Sequence, residues 1–195
     1  MNKAVVTFYI LASIAMPAHV ASQVAQSRCS LTEATAPEIH GIKLGSSVDQ
    51  VVALFSSSIK SKDMKDAIAK AKAADASETV YLAFDPDDAG IDSIAVGFGR
   101  GRVVDFSIAY GGVTWRNVDE WVAKLAETLK LPGGQAWTPG PSETPNKVLR
   151  CSGVEIEAAI LGGGSQIRVR NTQFSRTADE RNAAAEEKKR REFKP

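Results

Sequence analysis

The sequence predicts a two-layer α+β fold in which two helix-plus-meander repeats form one antiparallel sheet, with two helices covering one face. First, residues 41–55 read as a strand, a glycine turn and a capped amphipathic helix, and the pattern of the helix start at residues 47–53 recurs at residues 117–123. Second, each helix is followed by short segments of alternating apolar and polar residues. Third, 195 residues with 44% hydrophobic and 24% charged content suit one globular domain. We expect this domain at residues 38–172, with halves at 38–111 and 112–172.

The N-terminus has the layout of a secretory signal peptide over residues 1–22. Lys3 gives a basic start, residues 4–16 are mostly apolar, and Pro17 precedes small residues. The apolar run is shorter than the ~20 residues that a membrane-spanning helix needs. The alternative is a buried N-terminal helix. We therefore expect cleavage near Ala21 or Ser22, a periplasmic or secreted location, and no stable membrane span after cleavage.

The charge balance argues against a nucleic-acid partner. The chain has 24 basic and 23 acidic residues, and removing residues 1–22 takes away only Lys3 from these. The mature protein is then neutral, whereas nucleic-acid-binding domains are usually basic.

The two cysteines, Cys29 and Cys151, both follow the signal peptide. An exported protein with an even cysteine count usually pairs them, and the alternative is two buried thiols. A bond would close a loop of about 120 residues and, in the chain-entropy model, contribute ~4 to 5 kcal/mol. It would also pin residues 23–37, which we expect to be an extended arm, to the far half of the domain.

The first half begins with a predicted short strand at residues 38–44, with Gly41 as a bulge. Ser47 then caps a helix, with Gln50 completing a capping box. Residues 56–77 are rich in lysine and alanine, which predicts a thinly attached helix with a solvated face; a basic contact surface is the alternative. Three alternating segments predict strands at residues 79–84, 93–98 and 102–110.

The second half begins with a helix that Asn117 caps and whose box Glu120 closes. Its apolar stripe covers the sheet and consists of Val118, Trp121, Val122, Leu125 and Leu129. Strands are predicted at residues 136–138, 147–152, 154–161 and 166–171. Residues 173–195 are predicted to form a charged helix. Alanine is the only apolar residue type at positions 177–191, so we expect this helix to project from the domain or to lie loosely.

Catalytic and metal-binding patterns are weak in this chain. His40 is the only histidine after the signal peptide, and nothing in the sequence pairs it with a nucleophile. The acidic loop at residues 85–92 starts like a calcium loop, but Ala89 and Val96 stand where two ligands belong. The glycine runs join strand to strand, whereas phosphate loops lead into a helix. We predict no enzyme activity, no metal site and no cofactor.

The segment Gly-Ile-Lys-Leu-Gly-Ser-Ser-Val-Asp-Gln-Val at residues 41–51 resembles an opening shared by exported small α/β modules. These include β-lactamase inhibitor proteins and small outer-membrane assembly lipoproteins. The ending Phe193-Lys194-Pro195 is similar to that of secreted bacterial proteins of unknown function. The resemblance implies a binding or assembly role in the export compartment. The chain lacks the lipobox of the lipoproteins, and no inhibitory residue carries over.

Two functional hypotheses follow, with a hydrolase as a third. The first is a non-enzymatic protein-interaction or envelope-assembly module whose partner is another exported or envelope protein. Its expected surface is the open sheet face: Tyr81, Asp105, Ser107, Glu155, Glu157, Arg168 and Arg170. The second is a small-ligand-binding protein with a pocket between helix and sheet. The residues expected to line that pocket are Tyr110, Trp115 and Trp121.

Overall fold

The computed structural model describes residues 29–74, 79–84, 90–162 and 164–192. The predicted signal peptide, the start of the arm, most of the acidic loop and Phe193 lie outside the described residues. The helices are α1 (Val48–Leu54), α2 (Lys62–Ala73), α3 (Val118–Leu129) and α4 (Thr172–Glu192). The strands are β1 (Val80–Phe84), β2 (Ile91–Gly99), β3 (Arg102–Tyr110), β4 (Trp137–Pro139), β5 (Asn146–Arg150), β6 (Val154–Leu161) and β7 (Gly164–Asn171).

The seven strands form one open sheet in the order β1-β2-β3-β7-β6-β5-β4. Every neighbouring pair is antiparallel. Each half of the chain is a meander that follows its helices, and the two halves meet where β3 pairs with β7. The predicted α+β fold with an antiparallel sheet is confirmed.

Three helices, and not the predicted two, contribute to the core against the sheet. Val51 of α1, Ile68 of α2 and Trp121 of α3 belong to one cluster of buried side chains, together with the inward residues of the strands. The lysine- and alanine-rich helix α2 has the narrow buried edge that the sequence predicts, because only Ile68 and Ala71 of its residues are buried. They lie three residues apart and so on one side of the helix, and α2 packs against β1.

The helix caps follow the sequence closely. The backbone N–H of Gln50 donates to Ser47 Oγ (3.2 Å), and the backbone N–H of Ser47 donates to Gln50 Oε1 (2.8 Å), so the predicted capping box is present. Asn117 Oδ1 accepts from the Glu120 amide at 3.0 Å. The Glu120 carboxylate, however, accepts from the Arg116 backbone N–H at 3.0 Å, so Glu120 does not close the predicted box.

The predicted strand at residues 38–44 is instead a tight turn. Ile39 and Ile42 exchange backbone hydrogen bonds of 3.0 and 2.9 Å across His40 and Gly41. Both turn residues have positive φ, 50° and 78°, as a two-residue hairpin turn requires. Gly41 therefore belongs to the turn and is not a bulge, and His40 lies at the tip of the turn and not inside a strand.

The predicted disulfide between Cys29 and Cys151 is present. The chain after Cys29 runs beside the β5–β6 connection, where the Ser152 and Gly153 amides donate to Cys29 O and Leu31 O, both at 3.2 Å. This stretch is not extended throughout, since Glu33–Thr35 form a short 3-10 helix. The arm is thereby attached to the second half of the domain.

Candidate functional site

The sheet face opposite the helix-covered core holds all seven residues predicted for a partner surface. The strand register aligns them in two neighbouring rows across β1 to β6. One row contains Tyr81, Gly97, Asp105, Arg170 and Glu155, and the next contains Ser107, Arg168 and Glu157. In each strand these residues alternate with buried ones. Successive side chains of a strand point to opposite faces, so the seven residues share the face away from the core.

Arg168 and Asp105 form the best-defined ion pair on this face. Arg168 Nε lies 3.1 and 3.0 Å from the two carboxylate oxygens, and Arg168 Nη2 lies 2.5 Å from Oδ2. Asp105 is buried, and its hydrogen bonds raise the pKa of the Arg168 guanidinium. The pairing runs diagonally across β3 and β7, since the residue directly opposite Arg168 on β3 is Ser107.

Tyr81 lies beside this ion pair. Its ring covers Gly97, where an added Cβ would be 2.8 Å from Tyr81 Cε1. Burial and the Asp105 carboxylate raise the pKa of Tyr81, while Arg168 acts in the opposite direction. The ring is nevertheless 54% exposed, so an aromatic surface remains available.

The remaining charges of the face are also paired. Arg170 Nη2 lies 2.8 Å from Glu155 Oε1, and Arg150 Nε lies 3.1 Å from the other oxygen of the same carboxylate. Asn146 Nδ2 donates to Glu157 Oε1 at 2.6 Å. These contacts leave the face balanced in charge and hold its long side chains in place.

A groove of about 390 Å³ lies in this face, and we call it the open-face groove. It is lined by Tyr81, Asp105, Ser107, Ser142, Thr144, Glu157, Ala159, Leu161, Gln166 and Arg168. Most of these side chains are polar. Tyr81 and Leu161, which is 42% exposed, are two of the four large apolar side chains that stand out as exposed in the described chain.

The three residues predicted for a ligand pocket, Tyr110, Trp115 and Trp121, line a second concavity of about 540 Å³. We call it the aromatic cleft. It lies where α3, the loop after β3, the turn at His40 and the start of β7 meet. Its lining consists of Ile39, His40, Gly90, Ile91, Tyr110, Gly111, Val113, Trp115, Trp121, Lys124, Leu125, Thr128, Leu129 and Ser165.

The aromatic rings of the cleft contact one another. The ring centroids of Trp115 and Trp121 are 5.1 Å apart, and those of Tyr110 and Trp121 are 5.6 Å apart in an edge-on arrangement. His40 lies 6.0 Å from Tyr110. Burial raises the pKa of Tyr110 to about 12, which reflects the apolar character of this part of the molecule.

Sequence reasoning missed His40, Lys124 and Ser165 as residues of the cleft. The His40-Gly41 pair gave a usable signal, because a residue with a polar side chain followed by glycine often forms a two-residue turn. Lys124 lies three residues after Trp121 on α3, so helical spacing could also have placed it near the cleft. The sequence holds no such signal for Ser165, because its position near the cleft depends on the pairing of β7 with β3.

The described part of the chain contains no group of three or more His, Cys, Asp or Glu residues arranged to hold a metal ion. Nor does any helix within the described ranges have the length and apolar character needed to cross a membrane. Comparison with protein-family models, curated proteins and solved structures finds no match. The resemblance to exported binding and assembly modules therefore stays a prediction.

Proposed function

We propose that this protein is an exported, non-enzymatic interaction module that binds another exported or envelope protein through the open-face groove. The observation that carries the proposal is the cluster of Tyr81, Arg168 and Asp105. Tyrosine and arginine are enriched among the residues that dominate binding energy at protein interfaces. Here both are on the sheet, and among the described residues Tyr81 is exposed while the Arg168 side chain is partly exposed.

The cluster is already ordered before any partner arrives. Asp105 holds the Arg168 guanidinium through both carboxylate oxygens, and the Tyr81 ring rests on Gly97. Ordering a long side chain on binding costs roughly 0.5 to 1.5 kcal/mol, so fixing these side chains in advance favours association.

The lining of the groove defines the kind of partner that fits. Tyr81 and Leu161 offer apolar contact, while Ser107, Ser142 and Gln166 offer hydrogen bonds. The balanced charges give no preference for a strongly acidic or basic surface. We infer a loop or extended segment that places one apolar side chain between Tyr81 and Leu161 and polar groups around it.

The disulfide supports the export part of the proposal, because such bonds persist in oxidising compartments. We also infer that the two halves are copies of one helix-plus-meander unit. The meeting of their last strands, β3 and β7, at the centre of the sheet supports this inference.

Photo-crosslinking in exporting cells tests the proposal. A photoreactive benzoylphenylalanine replaces Ser142 in the groove or, as a matched control, the exposed Lys65 on α2. We expect a discrete protein adduct from position 142 and none from position 65.

A pair of variants then tests the role of Tyr81. Tyr81→Ala should reduce the adduct at least tenfold, because truncating a central interface aromatic typically costs ~2 kcal/mol or more. Tyr81→Phe keeps the ring and should retain most of the adduct. Equal labelling from positions 142 and 65, or labelling that survives Tyr81→Ala in a folded variant, would contradict the proposal.

A further inference from the structure

The aromatic cleft has the size and lining of a small-molecule site. Its volume of about 540 Å³ falls within the ~300 to 1,000 Å³ of typical ligand pockets. Most of its wall is apolar, from Ile39, Ile91, Leu125 and Leu129 together with the aromatic rings. The cleft is on the opposite side of the sheet from the open-face groove, so a ligand bound here contacts a different surface from the proposed partner.

The rings offer prepared surfaces for a flat ligand. Trp121 is held in place because its Nε1–H donates to Gln166 O at 3.1 Å. Trp115 and Tyr110 pack against it within the distances at which aromatic rings interact favourably. A planar aromatic molecule can extend this arrangement with little rearrangement of the protein.

Two polar atoms of lining residues have no hydrogen-bond partner in the described chain: Trp115 Nε1 and Ser165 Oγ. Both atoms are buried, and Ser165 as a residue is only 3% exposed. The other two tryptophans of the described chain donate to backbone carbonyls, Trp121 to Gln166 and Trp137 to Pro132. Buried donors without partners are rare and unfavourable. An indole N–H can only donate, so its missing partner is an acceptor.

The charges around the cleft do not favour an ion. Lys124 and His40 are among its lining residues, and no acidic residue is among the described ones. The Lys124 ammonium is paired, because its Nζ lies 3.0 Å from Glu127 Oε2, and the Asp92 carboxylate lies close to Gly111 of the lining. A neutral ligand meets no unbalanced charge here.

We propose that the aromatic cleft binds a flat, neutral, mostly aromatic small molecule that carries a hydrogen-bond acceptor, and that this acceptor pairs with Trp115 Nε1. Because Trp115 Nε1 is buried in the unliganded chain, this pairing requires the Trp115 ring to rotate toward the ligand. Ser165 then donates to or accepts from a second polar group of the ligand.

Quinoline and naphthalene form a matched pair of probes, because they have the same shape and differ by one ring nitrogen that accepts a hydrogen bond. Binding of each is followed by nitrogen-15 NMR on the mature protein. The three tryptophans Trp115, Trp121 and Trp137 give three indole N–H signals. The Trp115→Phe variant identifies the first of them and removes the donor while keeping an aromatic ring, and Ser165→Ala is the second variant.

We expect quinoline to bind about three- to tenfold more tightly than naphthalene and to shift the Trp115 indole signal downfield, in line with one added hydrogen bond. Trp115→Phe should reduce quinoline affinity to that of naphthalene and leave naphthalene affinity unchanged. If Trp115→Phe fails to fold, the Trp115 indole shift of the wild-type protein decides the matter. Equal affinities for the two probes, no binding of either, or shifts confined to Trp137 would overturn the proposal. Concentration-dependent self-association that blocks both probes would assign the cleft to a second copy of the chain and overturn it too.

Discussion

At the residue scale, glycines allow bulky side chains to approach the backbone of the sheet closely. Gly97 leaves room for the Tyr81 ring, and Gly99 for the Phe174 ring, where an added Cβ would be 2.1 Å from the ring. A glycine inside a strand often marks such a close approach. Tyr81 and Phe174 can therefore take these positions because glycine, which has no Cβ, occupies the strand position next to each ring.

Tyr110 is the residue whose titration should report on the aromatic cleft. Its pKa in the folded chain is about 12, whereas a tyrosine in an unfolded chain ionises near 10. Between about pH 10 and 12 the unfolded state loses this proton and the folded state keeps it. The stability that Tyr110 contributes is therefore fully present below about pH 10 and is lost as the pH rises through about 12.

The measurement is an absorbance titration of phenolate, with denaturant unfolding at matched pH values. Besides Tyr9 in the predicted signal peptide, the chain has only Tyr81 and Tyr110. Tyr110→Phe should remove the ionisation near pH 12 and flatten the alkaline loss of stability. A Tyr110 that ionises near pH 10 would show that the cleft does not desolvate its hydroxyl.

At the element scale, the first turn of α4 is attached to the domain. Asn171 Oδ1 accepts from the backbone N–H groups of Gln173 and Phe174, at 3.0 and 3.1 Å, and so caps the start of the helix. Phe174 packs against Gly99. The described side chains from Arg176 onward are exposed, and their ion pairs lie within the helix.

Deleting residues 176–195 should therefore change the free energy of unfolding by less than ~1 kcal/mol, because the described side chains that it removes are exposed. Phe174→Ala in the full chain should cost about 1 to 3 kcal/mol, since it removes a half-buried ring that covers β2. Urea unfolding of the two variants beside wild type checks both values. A truncation that costs more than Phe174→Ala would mean that the distal part of α4 packs on the domain.

At the scale of the whole molecule, the Cys29–Cys151 bond joins the N-terminal arm to the second half across a sequence separation of 122. The arm also contacts the start of α4, where Asn171 Nδ2 donates to Glu33 Oε2 at 2.6 Å. The disulfide thus limits how far the N-terminal arm and the β5–β6 connection can separate. This restriction acts mainly on the unfolded chain.

Replacing both cysteines with serine should lower the free energy of unfolding by about 3 to 5 kcal/mol, because the unfolded chain regains the freedom of a long loop. Denaturant unfolding of oxidised and reduced wild type gives the matched comparison, and the reduced protein should resemble the double variant. Two alkylatable thiols in the unreduced mature protein would contradict this prediction at the outset.

The local parts of this protein were readable from the sequence. Alternation of apolar residues predicted the main strands. Ser47, Gln50 and Asn117 indicated where the helices begin, because the hydrogen bonds of a helix cap join residues only three positions apart. The same alternation predicted which charged residues share a face, and the even cysteine count predicted the disulfide. These features depend on neighbours along the chain or on simple counts.

Contacts between distant segments were decided only by the tertiary structure. The sequence gives no local reason for Arg168 to pair with Asp105 and not with Glu157, for α2 to bury Ile68 against β1, or for His40 and Ser165 to meet at one cleft. Each outcome depends on the strand order, in which β7 inserts beside β3 and brings the two halves together. Periodicity along one strand determines which face a residue occupies, but only the pairing of strands determines its neighbours on that face.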